Sequence, residues 1–164
     1  MKFILKNWVA LLFILSLIAI ISALIAEYFF DLIPCKMCLK QRYPYYAIII
    51  IILFSYFFRQ IKNILLFILS EFAILYGLFY SIWHVGIEQK VLSGPASRSG
   101  TLSNTNSIQN LKEQISNQPI VNCTDISWTM LGLSAATINS ILLLLILIIN
   151  SIYIVKKFYA QKKI

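Results

Sequence analysis

The chain has 164 residues, 60% hydrophobic and only 12% charged, with a formal net charge of +8; an ordinary soluble domain carries about 25% charged residues. That balance excludes a disordered charged tail, which is poor in apolar residues, and argues against a water-soluble domain, because so short a chain cannot hide so much apolar surface. Excess positive charge often marks a nucleic-acid surface, but the bases here are few and the mean hydropathy is +0.82, so a membrane is the better partner.

Four apolar runs follow one another along a chain long enough for about one domain. The first, 7–26, has 20 residues and no charge. Lys2 and Lys6 precede it as they would a signal peptide, yet its apolar core is too long and no clear A-x-A cleavage site follows, so it reads as an uncleaved first helix. The second, 43–58, reaches membrane-spanning length if the helix starts at Leu39 and Lys40 and Arg42 snorkel to the interface. The third, 63–85, contains one carboxylate, Glu71, and the fourth is 131–155. A crossing needs about 20 apolar residues. The runs are rich in Ile, as a buried strand would be, but their lengths decide for helices. The expected fold is an all-α membrane protein, a four-transmembrane-helix bundle. Its helices are placed at 7–26, 39–58, 63–85 and 131–155, with two outward loops at 27–42 and 86–128.

Four crossings put both termini on one side. The termini and the turn 59–62 hold eight bases and no acid, whereas the two loops hold six bases and five acids. By the positive-inside rule the termini are cytoplasmic and both loops face outward. The net charge is thus an orientation signal. Within the long loop, Ser93 to Gly100 is turn-rich. Ile108, Leu111 and Ile115 form one apolar helical stripe over 107–116, ending before Pro119. The stripe can lie on the membrane surface or pack on the loop itself.

All three cysteines, Cys35, Cys38 and Cys123, fall in the outward loops. In a bacterial inner membrane that is the oxidising side, where disulfides persist. Cys35-Lys36-Met37-Cys38 is a C-x-x-C pair, able to cycle between dithiol and disulfide. The other readings are half a zinc site or two inert thiols. Zinc needs about four ligands, and this chain adds only Cys123 and its single histidine, His84, with no paired ligand motif. The lone His also argues against haem held between helices. Pro34 precedes the pair and the second helix follows it, which puts Cys38 near a helix N-terminus, where the dipole stabilises a thiolate. Arg42 lies one turn beyond Cys38. Its cation can favour the thiolate, bind a polar ligand at the membrane edge, or only snorkel.

Pro34-Cys35-Lys36-Met37-Cys38-Leu39-Lys40-Gln41-Arg42 resembles the quinone-linked disulfide-generating membrane proteins of bacteria, the disulfide bond formation protein B (DsbB) family. Two more stretches are similar: Trp83 to Gln89, leaving the third helix, and Cys123 to Leu133, leading into the fourth. The resemblance spans nearly the whole chain. It implies that Cys35–Cys38 takes electrons from a periplasmic thioredoxin-like (DsbA-like) thiol oxidase and passes them to a quinone, ubiquinone or menaquinone. It further implies that Cys38 faces the quinone, that Arg42 helps hold the ring, and that Cys123 is one member of a second, loop pair. The partner of Cys123 in that pair is missing, and Arg98 stands in its likeness. Arg98 forms no mixed disulfide, which leaves three readings open: an altered member that binds quinone or partner without full turnover, direct attack of a partner thiol on Cys35–Cys38, or transient pairing of Cys123 with another protein's cysteine or with Cys35.

His84 sits in the second family-like stretch and is expected either as an interfacial hydrogen-bonder or as a proton relay near the quinone. Glu71 is costly inside a run and must pair, stay protonated or face the bundle interior. Tyr43, Tyr45 and Tyr46 are expected as an interfacial aromatic belt.

Overall fold

The computed structural model describes residues 7–59, 64–92, 123, 129–130 and 132–162. Arg98 and the expected amphipathic helix at 107–116 lie outside the described residues. Among the described residues, four helices are long and apolar enough to cross a membrane: α1 (Trp8–Phe29), α2 (Lys36–Phe57), α3 (Ile64–Glu88) and α4 (Ala135–Lys162). A minimal antiparallel hairpin, β1 (Thr129–Met130) with β2 (Leu133–Ser134), precedes α4. The all-α four-helix architecture is therefore the observed one.

The helix ends differ from the sequence expectation, each for a local reason. α1 continues to Phe29 and α2 begins at Lys36, so the first loop is far shorter than 27–42. α2 starts early because Cys35, in an extended conformation, caps it: its Sγ accepts a hydrogen bond from the Cys38 N–H at 3.2 Å. Cys38 is thus inside the first turn. α3 runs past Val85 to Glu88, and Lys90, at φ 58°, turns the chain away. α4 begins at Ala135 rather than 131, because the chain first doubles back at Gly132, φ 78°. Ser134 then caps α4, its Oγ accepting from the Thr137 N–H at 3.2 Å.

α3 packs between α2 and α4, and α1 lies mainly on α2. Each helix turns one face inward. On α1 it is Trp8, Leu12, Ser16 and Ile20; on α3 it is Ser70, Ile74, Gly77, Ser81 and His84. Ile14, Ile18, Ile21, Ile25, Phe72, Phe79 and Ile82 point outward. This arrangement, apolar outside with small and polar residues inside, is what lipid selects: hydrocarbon outside offers helices no hydrophobic drive to associate, and close contact plus hydrogen bonds must do it. Gly77 supplies the close contact, since a Cβ there would sit 2.5 Å from the Pro44 ring of α2.

Two polar clusters tie the bundle, one towards each end. Far from the cysteines, Trp8 Nε1 donates to Asn150 Oδ1 at 2.9 Å. Asn150 Nδ2 donates to Glu71 and to the Phe67 carbonyl, and Ser151 donates to the other Glu71 oxygen. Glu71 therefore faces inward and is paired. Nearer the cysteines, Tyr45 is buried at 3% exposure and donates to Asn139. Tyr45 is consequently a core residue and not part of an aromatic belt. Tyr43 and Tyr46 are exposed, as expected of one.

Candidate redox site

The site forms where the start of α2 meets the end of α3. The C-x-x-C spacing places Cys35 at the cap and Cys38 in the first turn on the same side, with their Sγ atoms 2.8 Å apart. Little movement separates this dithiol from a disulfide. Cys123 is buried against them and hydrogen-bonded to Cys35. Met37 and Ile87 close the site as buried apolar residues, with Tyr80 and Trp83 packed on it. The Tyr80 and Trp83 rings stack at 6.0 Å, and Lys40 Nζ lies 4.7 Å over the Tyr80 ring.

Cys35 is the hub of the three thiols, touching Cys38 on one side and Cys123 on the other. Its hydrogen bond to Cys38, together with burial, pushes its pKa up to about 12. Burial, and then the hydrogen bond to Cys35, pushes Cys123 up to about 11. Both groups therefore rest as thiols at neutral pH. Cys38 is less deeply buried than either.

His84, from α3, places Nε2 3.7 Å from Cys35 Sγ, and Gln41 of α2 meets its Nδ1 at 2.9 Å. His84 is buried within the site. Cys35, Cys123 and His84 bring their ligand atoms within 4.8 Å of one another. Arg42 departs from the simplest expectation: it is engaged by α1, pairing with Glu27 and donating to the Ala23 carbonyl at 3.3 Å. Its charge still acts on Cys38. The four expected residues Cys35, Cys38, Cys123 and His84 thus meet in one place, with Arg42 one helical turn along α2.

Sequence reasoning missed Gln41, Asn139, Ser81 and Glu88. Gln41 Oε1 accepts from Asn139 Nδ2 at 3.5 Å, Asn139 Nδ2 also donates to Ser81 Oγ at 3.1 Å, and Glu88 accepts from Ser134 and lies 3.9 Å from His84 Nε2. A signal for one of them was present: Ser81 lies with Gly77 and His84 in a small or polar stripe at spacings of four and three in an otherwise apolar helix, the pattern of an inward face.

A dithiol at a helix start, backed by a third thiol and a buried imidazole in a four-helix membrane bundle, is an arrangement for thiol–disulfide chemistry. Comparison with known proteins agrees. The family model for disulfide bond formation protein DsbB matches residues 5–153. The chain is 34% identical over 136 residues to an uncharacterized protein of Rickettsia prowazekii (strain Madrid E), covering 82% of this chain and 78% of that one. No solved structure matches. With its dithiol, its four apolar helices and a family match over almost its whole length, this chain belongs to the disulfide bond formation protein DsbB family of disulfide-forming membrane proteins.

Proposed function

We propose that the protein is a quinone-dependent protein-disulfide oxidoreductase. It takes electrons from a thioredoxin-like (DsbA-like) thiol oxidase and delivers them to ubiquinone or menaquinone in a bacterial inner membrane. The observation that carries this reading is the contact of Cys35 with both Cys38 and Cys123. It supports a relay of three cysteines that does not need the thiol Arg98 replaces. Cys123 gives up its thiol proton to solvent and attacks Cys35 of the Cys35–Cys38 disulfide; the Cys123–Cys35 bond forms, and Cys38 leaves as thiolate with the electron pair. A partner thiolate then attacks Cys123 and releases the Cys35 thiolate. The partner's second thiolate displaces Cys123 and closes the partner's own disulfide. The partner has lost two electrons, and Cys35 and Cys38 hold them.

A bound quinone supplies the two-electron oxidant that returns Cys35 and Cys38 to the disulfide. The residues at hand fit such a group. Cys38 is the least buried thiol of the three and sits where α2 starts, within reach of a bilayer-dissolved ring. Arg42, one turn along, presents a cation held in place by Glu27, suited to an electron-poor ring's oxygen. Buried, neutral Cys35 and Cys123 wait for exchange and leave Cys38 as the electron donor.

The charge distribution supports cytoplasmic termini and periplasmic cysteines. Reporter fusions at either terminus should read as cytoplasmic; termini found outside would overturn that orientation. Purified protein mixed with quinone and reduced partner should consume partner thiols; turnover no higher than that of a Cys38→Ser control would overturn the oxidoreductase reading. Arg98, a base where the family-like pattern has a cysteine, favours a second reading: a member that binds quinone or partner without turnover. Under the three-cysteine relay Arg98→Cys changes turnover little, whereas a large gain would mark a damaged relay.

A further inference from the structure

The polar ladder beneath the thiols determines which nitrogen of His84 carries its proton. The Ser81 and Ser140 Oγ atoms are 2.8 Å apart, and both lie within hydrogen-bond distance of the Ala136 carbonyl. Two hydroxyls have two hydrogens. When Ser140 donates to Ser81 and Ser81 donates to the carbonyl, neither hydroxyl hydrogen points at Asn139. Asn139 turns its NH2 to Ser81 and its oxygen to the Tyr45 hydroxyl. Its second N–H then faces Gln41, which presents Oε1 to it. That leaves the Gln41 NH2 against His84 Nδ1. An amide NH2 only donates, so Nδ1 is the bare nitrogen and the proton sits on Nε2.

The surroundings of Nε2 agree independently. It lies 3.7 Å from Cys35 Sγ and 3.9 Å from Glu88 Oε1, a carboxylate oxygen that accepts, and the Cys123 backbone also hydrogen-bonds the ring. A histidine that ligates a metal through one nitrogen usually donates from the other. Here the other nitrogen receives, so Cys35, Cys123 and His84, although close enough to hold a metal, lack the lone pair the third ligand would need.

We propose that Gln41, held by Asn139, is a positioning residue that fixes His84 as the Nε2–H tautomer, a hydrogen-bond donor aimed at the Cys35 sulfur. This rests on the relay above for its use. When a thiolate attacks Cys123 in the Cys123–Cys35 disulfide, that S–S bond breaks and Cys35 departs with the electron pair. The Nε2–H then stabilises the departing thiolate in a buried place where it would otherwise be poorly solvated. No proton leaves His84 in this step.

Because His84 is the single histidine, a full-length chain labelled with 15N-histidine reports this residue alone. In the reduced protein at neutral pH the expected spectrum is a neutral ring with bare Nδ1 and protonated Nε2. A proton on Nδ1, or on both nitrogens, overturns the proposal. In Gln41→Leu the ring should become a mixture of tautomers. In a Cys38→Ser background, where the Cys123–Cys35 disulfide is the one this chain can form, dithiothreitol should then cleave that bond about tenfold more slowly than with Gln41 present. An unchanged tautomer and rate in a helical Gln41→Leu protein also overturns it. If that variant does not fold, the wild-type spectrum decides. Failure of the wild type to turn over with quinone and partner would remove the relay and leave the tautomer result standing.

Discussion

Gly77→Ala tests the packing that brings α2 and α3 together. The added Cβ would lie 2.5 Å from Pro44 Cγ, 3.0 Å from Pro44 Cβ and 3.2 Å from Leu143 Cδ1. Carbon atoms rest at about 3.5–4.0 Å, so the gap to the ring is short by about 1 Å. The proline ring cannot rotate away, since it is tied to its own backbone, and Leu143 is fully buried on the other side. α3 must move off α2, at a cost of about 1–3 kcal/mol. The better helix propensity of alanine returns about 1 kcal/mol at most, so a net loss of about 1–2 kcal/mol is expected. The assay is equilibrium unfolding in detergent with rising dodecyl sulfate, followed by circular dichroism. Pro44→Ala removes the atom nearest the clash, so combined with Gly77→Ala it should recover about 1 kcal/mol relative to the sum of the single changes. A Gly77→Ala protein as stable as wild type, or strict additivity with Pro44→Ala, would refute the reasoning.

Asn150→Leu should destabilise the bundle by about 2–4 kcal/mol in the same assay, because it leaves the Trp8 N–H without its acceptor and Glu71 without one of its two donors. Cys123 of the reduced protein, pushed up to about 11, should be alkylated with a rate that climbs about tenfold per pH unit through pH 10. An ordinary thiol levels off near pH 9. The same shift favours the protonated fold: its contribution to stability is complete below the unfolded thiol's pKa and is lost as pH rises towards 11. Arg42→Met should raise the KM for quinone by about tenfold while leaving exchange between partner and Cys123 unchanged; an unchanged KM would remove Arg42 from the quinone site.

Much of the fold was legible because the bilayer imposes a length. Runs of 16–25 apolar residues read as helices, and the structure has helices there. Their ends were less legible. A cysteine as the cap of α2 and a two-residue hairpin before α4 have no strong sequence signature. The thiols were readable from C-x-x-C. Their supports were not, because Gln41, Tyr45, Ser81 and Asn139 are scattered over three helices and acquire meaning only where those helices touch. Tyr45 shows the difficulty. Its neighbours Tyr43 and Tyr46 face out as aromatic-belt residues do, and only the turn of the helix sends Tyr45 inward to Asn139.

The most direct test of the central claim is the redox state of the three cysteines in membranes, read by alkylation and gel shift before and after quinone is added to the reduced protein. A Cys35–Cys38 disulfide that appears on addition of quinone, and is absent in Cys38→Ser, is the expected result. Three thiols that stay fully alkylatable in the presence of quinone would contradict it.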